Sequence, residues 1–439
     1  FDNNNYAVNL SYNGLDGLFS AFNNNTLSYK DFYINYDKDK VLENLRDKIV
    51  TRNSEYISDK LTDISRKITP ISPKGEKYNV VLIVVESLSA EFFEYFGNKR
   101  NITPFMDELI TDSMFFDNFY ATGTRTVRGL EAISLSLPPL PGNSILRRPN
   151  NENLFSIGSV FKSLGYENKF VYGGYGYFDN MNYFFANNNF EIVDRANFNK
   201  EEINFSNIWG VSDGDLFSKF ISEADKSYSS KKPFFSLVLT TSNHRPYTYP
   251  EGKIDIQSGT GRDGAVKYTD FAIKQLMEDA KKKPWFDNTV FVIVADHCAG
   301  SAGKDHIPLN KYHIPLIIHA PKILKPTIIN NLSSQIDIAP TLLGILGMPY
   351  DSKFLGRDVI NSPANRAFIS TYQKVGLYSD HKFTILGPKE MHWAYSIEKN
   401  LDQKLMKSNQ EHLFDTVTFY QSTSYLLNNG YLRDFWFVF

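Results

Sequence analysis

The sequence of 439 residues has a single cysteine, Cys298, so no internal disulfide holds the chain together. That fits a reducing compartment, or an exported protein that does without bridges. No run of residues is long and apolar enough to span a bilayer. Charge of one sign is not in excess either. The 47 Lys and Arg against 49 Asp and Glu leave a formal net charge of -2, which gives nucleic acid nothing to be drawn to. There is no internal repeat, no low-complexity linker and no obvious domain break after residue 78. The chain begins at Phe1 rather than Met, which predicts a processed or truncated product from which a membrane anchor has been removed. What is present is enough apolar content, 42%, to bury a large core. The asparagine runs at 3–5, 23–25 and 187–189 read as compositional bias and carry no mechanism.

Up to about residue 78 the chain is polar and aromatic, without a strong strand pattern. Val41, Leu42, Leu45, Ile49 and Val50 recur at helical spacing, which predicts an amphipathic helix over 39–58 in a connecting arm; Pro70 and Pro73 close it. Three continuous apolar runs follow, at 78–85, 233–240 and 290–295. Each has the composition of a strand buried on both faces of a parallel sheet. Helical patterns alternate with them at 130–137, 157–164, 213–223 and 265–282, and a short strand is expected at 168–172. Residues 334–347 read as an N-capped helix ended by Gly347 and Pro349. In the C-terminal stretch 365–439, a hairpin over 366–386, a strand near 392–397 and a helix over 408–428 are expected, with no catalytic cluster.

The chemistry concentrates in Ala121 to Glu131, where three hydroxyls, two guanidinium groups and two glycines lie between a strand at 114–120 and a helix. A strand-to-helix turn favours anions through its free N–H groups and the helix dipole, and it helps ionise an attacking hydroxyl. Thr122, Thr124 and Thr126 are the candidate nucleophiles. Thr126 is preferred because Arg125 and Arg128 flank it, with a metal still needed to activate any threonine at neutral pH. Taken alone, the loop also reads as a capped helix start with solvated arginines. Glu86 stands where the first buried run ends, the ligand-binding edge of an open α/β sheet; it also reads as an N-terminal acid of a helix over 87–96. Asp296 and His297 end the third run, and an adjacent carboxylate and imidazole suit a divalent metal. His244 follows the second run and is placed to meet substrate, or else bonds nearby backbone. The loop from Gly173 to Asp179 lies where substrate-reading loops are expected, and reads equally as turn and packing. His306 follows a glycine-containing loop that can reach the site, His319 reads as core, and His313 is ambiguous. Cys298 reads as a small packing residue.

Four motifs together resemble the alkaline-phosphatase superfamily, and within it the sulfatase-like lipoteichoic acid synthase and phosphoglycerol transferase family. They are Val84 to Ser87, Gly123 to Gly129, Ala295 to His297, and Asp337 to Gly344. The resemblance covers roughly 79–360 and implies an α/β fold, an α/β/α sandwich around a mostly parallel sheet with a smaller C-terminal α+β portion at 365–439. Residues 1–78 would be a helical arm on the ectodomain side of a membrane anchor, and 79–439 the catalytic domain. The resemblance further implies that Glu86, Thr126, Asp296 and His297 hold one divalent cation, manganese first, with zinc or magnesium as alternatives. Thr126 would attack a phosphodiester and carry a phosphothreonine ester, with His244, Arg125, Arg128, His306 and Asp179 binding substrate. Implied partners are an anionic phospholipid donor and an envelope glycan or polyol acceptor. The implied location is the outer face of the bacterial cytoplasmic membrane. One departure stands out: the family's synthases carry Trp and Arg in the loop after the fourth strand, whereas Tyr177, Phe178, Asp179 and Asn180 stand here. The alternatives are a phosphoethanolamine transferase, which usually carries several disulfides, a sulfatase-like phosphodiester hydrolase, and a non-catalytic envelope-binding module. A sulfatase proper needs Cys or Ser followed by x-Pro-x-Arg, and no such pattern occurs.

Overall fold

A computed structural model describes residues 27–300 and 307–434. The described part of the arm carries helix α1 (Lys38–Ile49), capped by Asp37, whose carboxylate accepts the Lys40 N–H. The helix stops well short of residue 58. After Val50 the apolar spacing runs out, and the chain turns into the strands β1 (Ser54–Tyr56) and β2 (Arg66–Ile68). These pair with β12 (Tyr350–Ser352) in a small antiparallel sheet. The buried face of α1, with Val41, Leu42, Leu45 and Ile49, packs on the C-terminal helix, where Lys48 Nζ also bonds Asp415 at 2.6 Å.

The central sheet is built from β3 (Asn79–Val85), β4 (Met114–Tyr120), β5 (Glu167–Tyr172), β6 (Glu191–Val193), β7 (Phe234–Leu239), β8 (Thr289–Ala295), β9 (His313–His319), β10 (Thr327–Ile329) and β11 (Ser333–Ser334). Its order is β10-β4-β9-β8-β3-β7-β5-β6, with β11 also on β4. All pairs are parallel except those of β9, which runs antiparallel to β4 and β8. The three apolar runs become β3, β7 and β8, and every residue in them is buried. Such strands cannot alternate, because helices cover both faces. Helices α2 (Pro104–Thr111), α6 (Asp213–Ser229) and α7 (Arg262–Ala280) pack on one another. Helices α3 (Thr126–Leu135), α4 (Ile157–Ser163) and α8 (Ile338–Ile345) form a second group, the short α5 (Met181–Ala186) lies against β6, and the whole is an α/β/α sandwich. Two single 3-10 turns stand where a helix over 87–96 was the other reading of Glu86.

The C-terminal portion is richer in strand than its hairpin pattern suggests. β13 (Arg366–Ser370), β14 (Val375–Ser379), β15 (Lys382–Gly387), β16 (Met391–Ile397) and β17 (Gln403–Leu405) form a sequential antiparallel meander. Helix α9 (Gln410–Asn428) covers it and contacts α1. No helix of the described residues is long and apolar enough to cross a membrane.

Candidate active site

The adjacent strands β8, β3 and β7 run parallel, so their C-terminal ends lie side by side and deliver Asp296-His297, Glu86 and the turn leading to His244 to one edge of the sheet. Helix α3 brings Thr126 to the same place as its first residue, four positions earlier than the pattern predicted. Close approach is possible because position 129 is glycine. A Cβ there would lie 2.3 Å from the Asp296 carbonyl oxygen.

Glu86 is the hub. Its Oε2 accepts the Thr126 hydroxyl at 3.2 Å and lies 3.2 Å from His244 Nε2, while Oε1 accepts the Ser87 hydroxyl at 2.6 Å and lies 3.6 Å from His297 Nε2. Asp296 is fully buried. Its Oδ1 accepts the N–H groups of Ser87 and His297, but its Oδ2 accepts no hydrogen bond and lies 3.4 Å from His297 Nε2. A buried carboxylate oxygen without a partner is costly unless a cation meets it. Glu86, Asp296 and His297 each offer a ligand atom, all within 4.8 Å of one another. Two carboxylate oxygens and one imidazole nitrogen suit a divalent metal.

The protonation pattern agrees. Burial, then the neighbouring Glu86 charge, pushes Asp296 up to about 7. Burial also works to raise Glu86, yet the imidazoles of His297 and His244 outweigh it and hold that carboxylate below the usual range. Burial pulls His297 down, but Asp296 and Glu86 outweigh it and the imidazole stands above its ordinary value. Two buried carboxylates this close do not both ionise without added positive charge, supplied by a proton or a metal.

Of the three threonines, Thr126 alone lies on Glu86. Thr122 is buried with its hydroxyl 3.0 Å from Gln335 Oε1, and Thr124 lines the cleft. Arg125 and Asp179 also line the cleft, Asp179 standing 3.5 Å from Arg147. Arg128 does not, and its substrate-binding assignment is corrected. The residue is 7% exposed, ion-paired with Glu131 at 2.7 Å and bonded to the Gly142 carbonyl. Two residues beyond Thr126 on a helix, it points about 200° away. His306 lies outside the described residues. His319 is buried and His313 half-buried, both away from the site, His313 Nε2 on Asp117 O and His319 Nδ1 on the Ser113 hydroxyl. Burial holds both below the ordinary imidazole value. Cys298 is buried, donates to His313 O, and has its thiol pKa pushed up by burial, so it packs rather than ligates.

Three supports escaped the sequence reading. Gln335 donates to the carbonyls of Ala295 and Asp296 and accepts from the Thr122 N–H, tying the loop before Thr126 to the end of β8. Asp213, fully buried, accepts the N–H groups of Thr241 and Ser242 and fixes the turn before His244. Trp209 stacks on the His244 ring at 4.0 Å between centroids, and Phe178 stands edge-on to Trp209 at 5.8 Å. A tryptophan in a loop beside a glycine was the available signal for the last; the other two needed the topology. Glu86, Thr126, Phe178, Trp209, His244 and His297 line an open cleft of about 500 Å³, which also receives Arg245 and Arg262.

The sulfatase family model matches residues 78–348. The chain belongs to the sulfatase family. A solved structure of a protein in the alkaline phosphatase superfamily from Vibrio parahaemolyticus is 32% identical, covers 93% of this chain and 100% of its own, and superposes with a TM-score of 0.86. The lipoteichoic acid synthase LtaP from Listeria monocytogenes shares the fold, with a TM-score of 0.70 at 20% identity over 88% of this chain and 98% of that one. In sequence, lipoteichoic acid synthase 2 of Bacillus subtilis is 26% identical over 366 residues, 77% of this chain and 55% of the relative. This sulfatase-family chain therefore spans about half the length of the curated relatives it matches.

Proposed function

We propose that the chain is a metal-dependent phosphotransferase that moves a phosphoglycerol head group from a phospholipid to an envelope glycan or polyol through an ester on Thr126. The observation that carries this reading is the Thr126 hydroxyl bonded to Glu86 within the cluster of Glu86, Asp296 and His297. Those three residues would hold the cation, manganese in our reading. When bound, it supplies the positive field that lowers the pKa of the Thr126 hydroxyl.

The chain's own residues account for the rest. Glu86 Oε2 fixes the hydroxyl hydrogen and so aims an Oγ1 lone pair into the cleft. The hydroxyl proton has Glu86 Oε2 at hand, and His244 Nε2 lies 3.2 Å beyond it. Attack of Oγ1 on phosphorus forms the phosphothreonine ester and releases diacylglycerol as the leaving alcohol; the acceptor hydroxyl then displaces Thr126. His244, held flat by Trp209, stands beside the proton that Thr126 gives up, and the departing glycerol oxygen takes its proton from solvent in the open cleft. Arg125, Arg245 and Arg262 in the cleft favour a head group whose only charge is its phosphate, since an ethanolamine ammonium would meet like charge. Names of relatives that act in lipoteichoic acid synthesis support the same choice. In this reading the catalytic domain works on the outer face of the cytoplasmic membrane, with residues 1–78 on the anchor side.

The test is product analysis with manganese-loaded protein and vesicles of phosphatidylglycerol or phosphatidylethanolamine. Diacylglycerol release from phosphatidylglycerol, abolished in Thr126→Ala, is expected. Release from phosphatidylethanolamine instead would replace the donor, and no release from either would remove the transferase reading.

A further inference from the structure

Arg262 opens α7 and is an anomaly there. A cation at the first helical position lies at the positive end of the helix dipole, where an acid is favoured. Among the described residues no carboxylate pairs with it. Its Nη2 donates to the Tyr247 hydroxyl at 2.9 Å, its guanidinium lies 5.1 Å from the Tyr247 ring centre, and its Nη1 is buried with no hydrogen-bond partner. The same phenol oxygen accepts from Arg245 Nε at 3.3 Å. Two guanidinium groups thus converge on one neutral oxygen, and both line the cleft that holds Thr126 and Glu86.

The bracket is built, not incidental. Tyr247 adopts a left-handed backbone conformation, φ 64°, which an aromatic residue occupies at a cost. Its N–H bonds His244 O at 2.8 Å, so the tyrosine is fixed to the turn that carries the site's histidine. The neighbouring Trp209 N–H bonds Arg245 O, closing the same turn from the other side. Like charges held together without a counter-charge are unfavourable until an anion arrives, and an arginine fork with a vacant N–H matches a phosphate oxygen.

We propose that Arg262, set by Tyr247 and seconded by Arg245, is the ligand of the non-bridging phosphoryl oxygens of the substrate's phosphodiester. The assignment rests on the phosphotransferase reading for its substrate. Tyr247 is a positioning residue, because it acts through Arg262.

Inorganic phosphate is the probe. Its binding to manganese-loaded protein is measured by calorimetry for wild type, R262Q, R262K, Y247F and T126A, with manganese content determined for each. The wild type is expected to bind phosphate saturably. R262Q should weaken binding by roughly tenfold or more, R262K by less, and Y247F by roughly threefold, with manganese content unchanged. T126A cannot transfer yet keeps Arg262, and it should still bind phosphate saturably, so loss of the transferase reading and loss of this one give different results. Should R262Q fail to fold or load metal, R262K carries the comparison. Phosphate affinity equal in R262Q, R262K and wild type, or no saturable binding to the wild type, overturns the proposal.

Discussion

Gly129→Ala sets two physical effects against each other in one residue. Gly129 lies inside α3 with an ordinary helical backbone, so helix propensity alone predicts that alanine stabilises by about 1 kcal/mol. Packing predicts the reverse. The new Cβ would lie 2.3 Å from Asp296 O and 2.9 Å from Asp296 C and Cα, all backbone atoms at the end of a buried strand. Reaching 3.0 Å, the shortest separation real Cβ atoms tolerate, from 2.3 Å moves the helix start by roughly 0.7 Å. Overpacking of this kind costs about 1–3 kcal/mol, so after the propensity gain the net change is a loss of about 0–2 kcal/mol. The same shift separates Thr126 from Glu86, and a displacement approaching 1 Å at a reacting group costs on the order of 100-fold in rate. Denaturant unfolding gives the first quantity and turnover of phosphatidylglycerol the second. A Gly129→Ala protein more stable than wild type with unchanged turnover would refute the packing argument.

Removing Arg128 and removing Arg125 should give opposite phenotypes. Arg128→Ala breaks a buried pair with Glu131 and is expected to cost about 3 kcal/mol of stability by denaturant unfolding, whereas Arg125→Ala, exposed at the cleft, should leave stability within about 0.5 kcal/mol and lower only turnover. Metal affinity should depend on pH around neutrality. With Asp296 pushed up to about 7 in the metal-free site, the carboxylate is ionised and free to ligate above that pH, and protonated below it. Titration of manganese at pH 8 and pH 6 is expected to show weaker binding at pH 6, and equal or tighter binding at pH 6 would contradict the ligand role of Asp296.

The sheet was legible because its central strands obey a rule visible in one dimension: strands covered on both faces must be apolar throughout, as β3, β7 and β8 are. The residues that follow such runs necessarily gather at one edge, so Glu86, His244, Asp296 and His297 could be found together. Arg128 was misread because the helix was expected to begin at Leu130. Beginning it at Thr126 puts Thr126 and Arg128 on opposite faces, and only the phase of that one turn separates a cleft arginine from a buried ion pair. Gln335, Asp213 and Trp209 carry no local pattern that announces a role; their partners lie 28 to 213 residues away, and only the folded topology joins them. The arm helix was overextended because five apolar positions fix a helix's face better than its end.

The central claim is that Thr126 carries the transferred group. Its most direct test is intact-protein mass spectrometry with peptide mapping, after manganese-loaded protein is mixed with phosphatidylglycerol and quenched before acceptor is added. A phosphoglycerol adduct mapped to Thr126, absent from Thr126→Ala, is the predicted result. An adduct on another residue, or turnover that persists in Thr126→Ala, would contradict it.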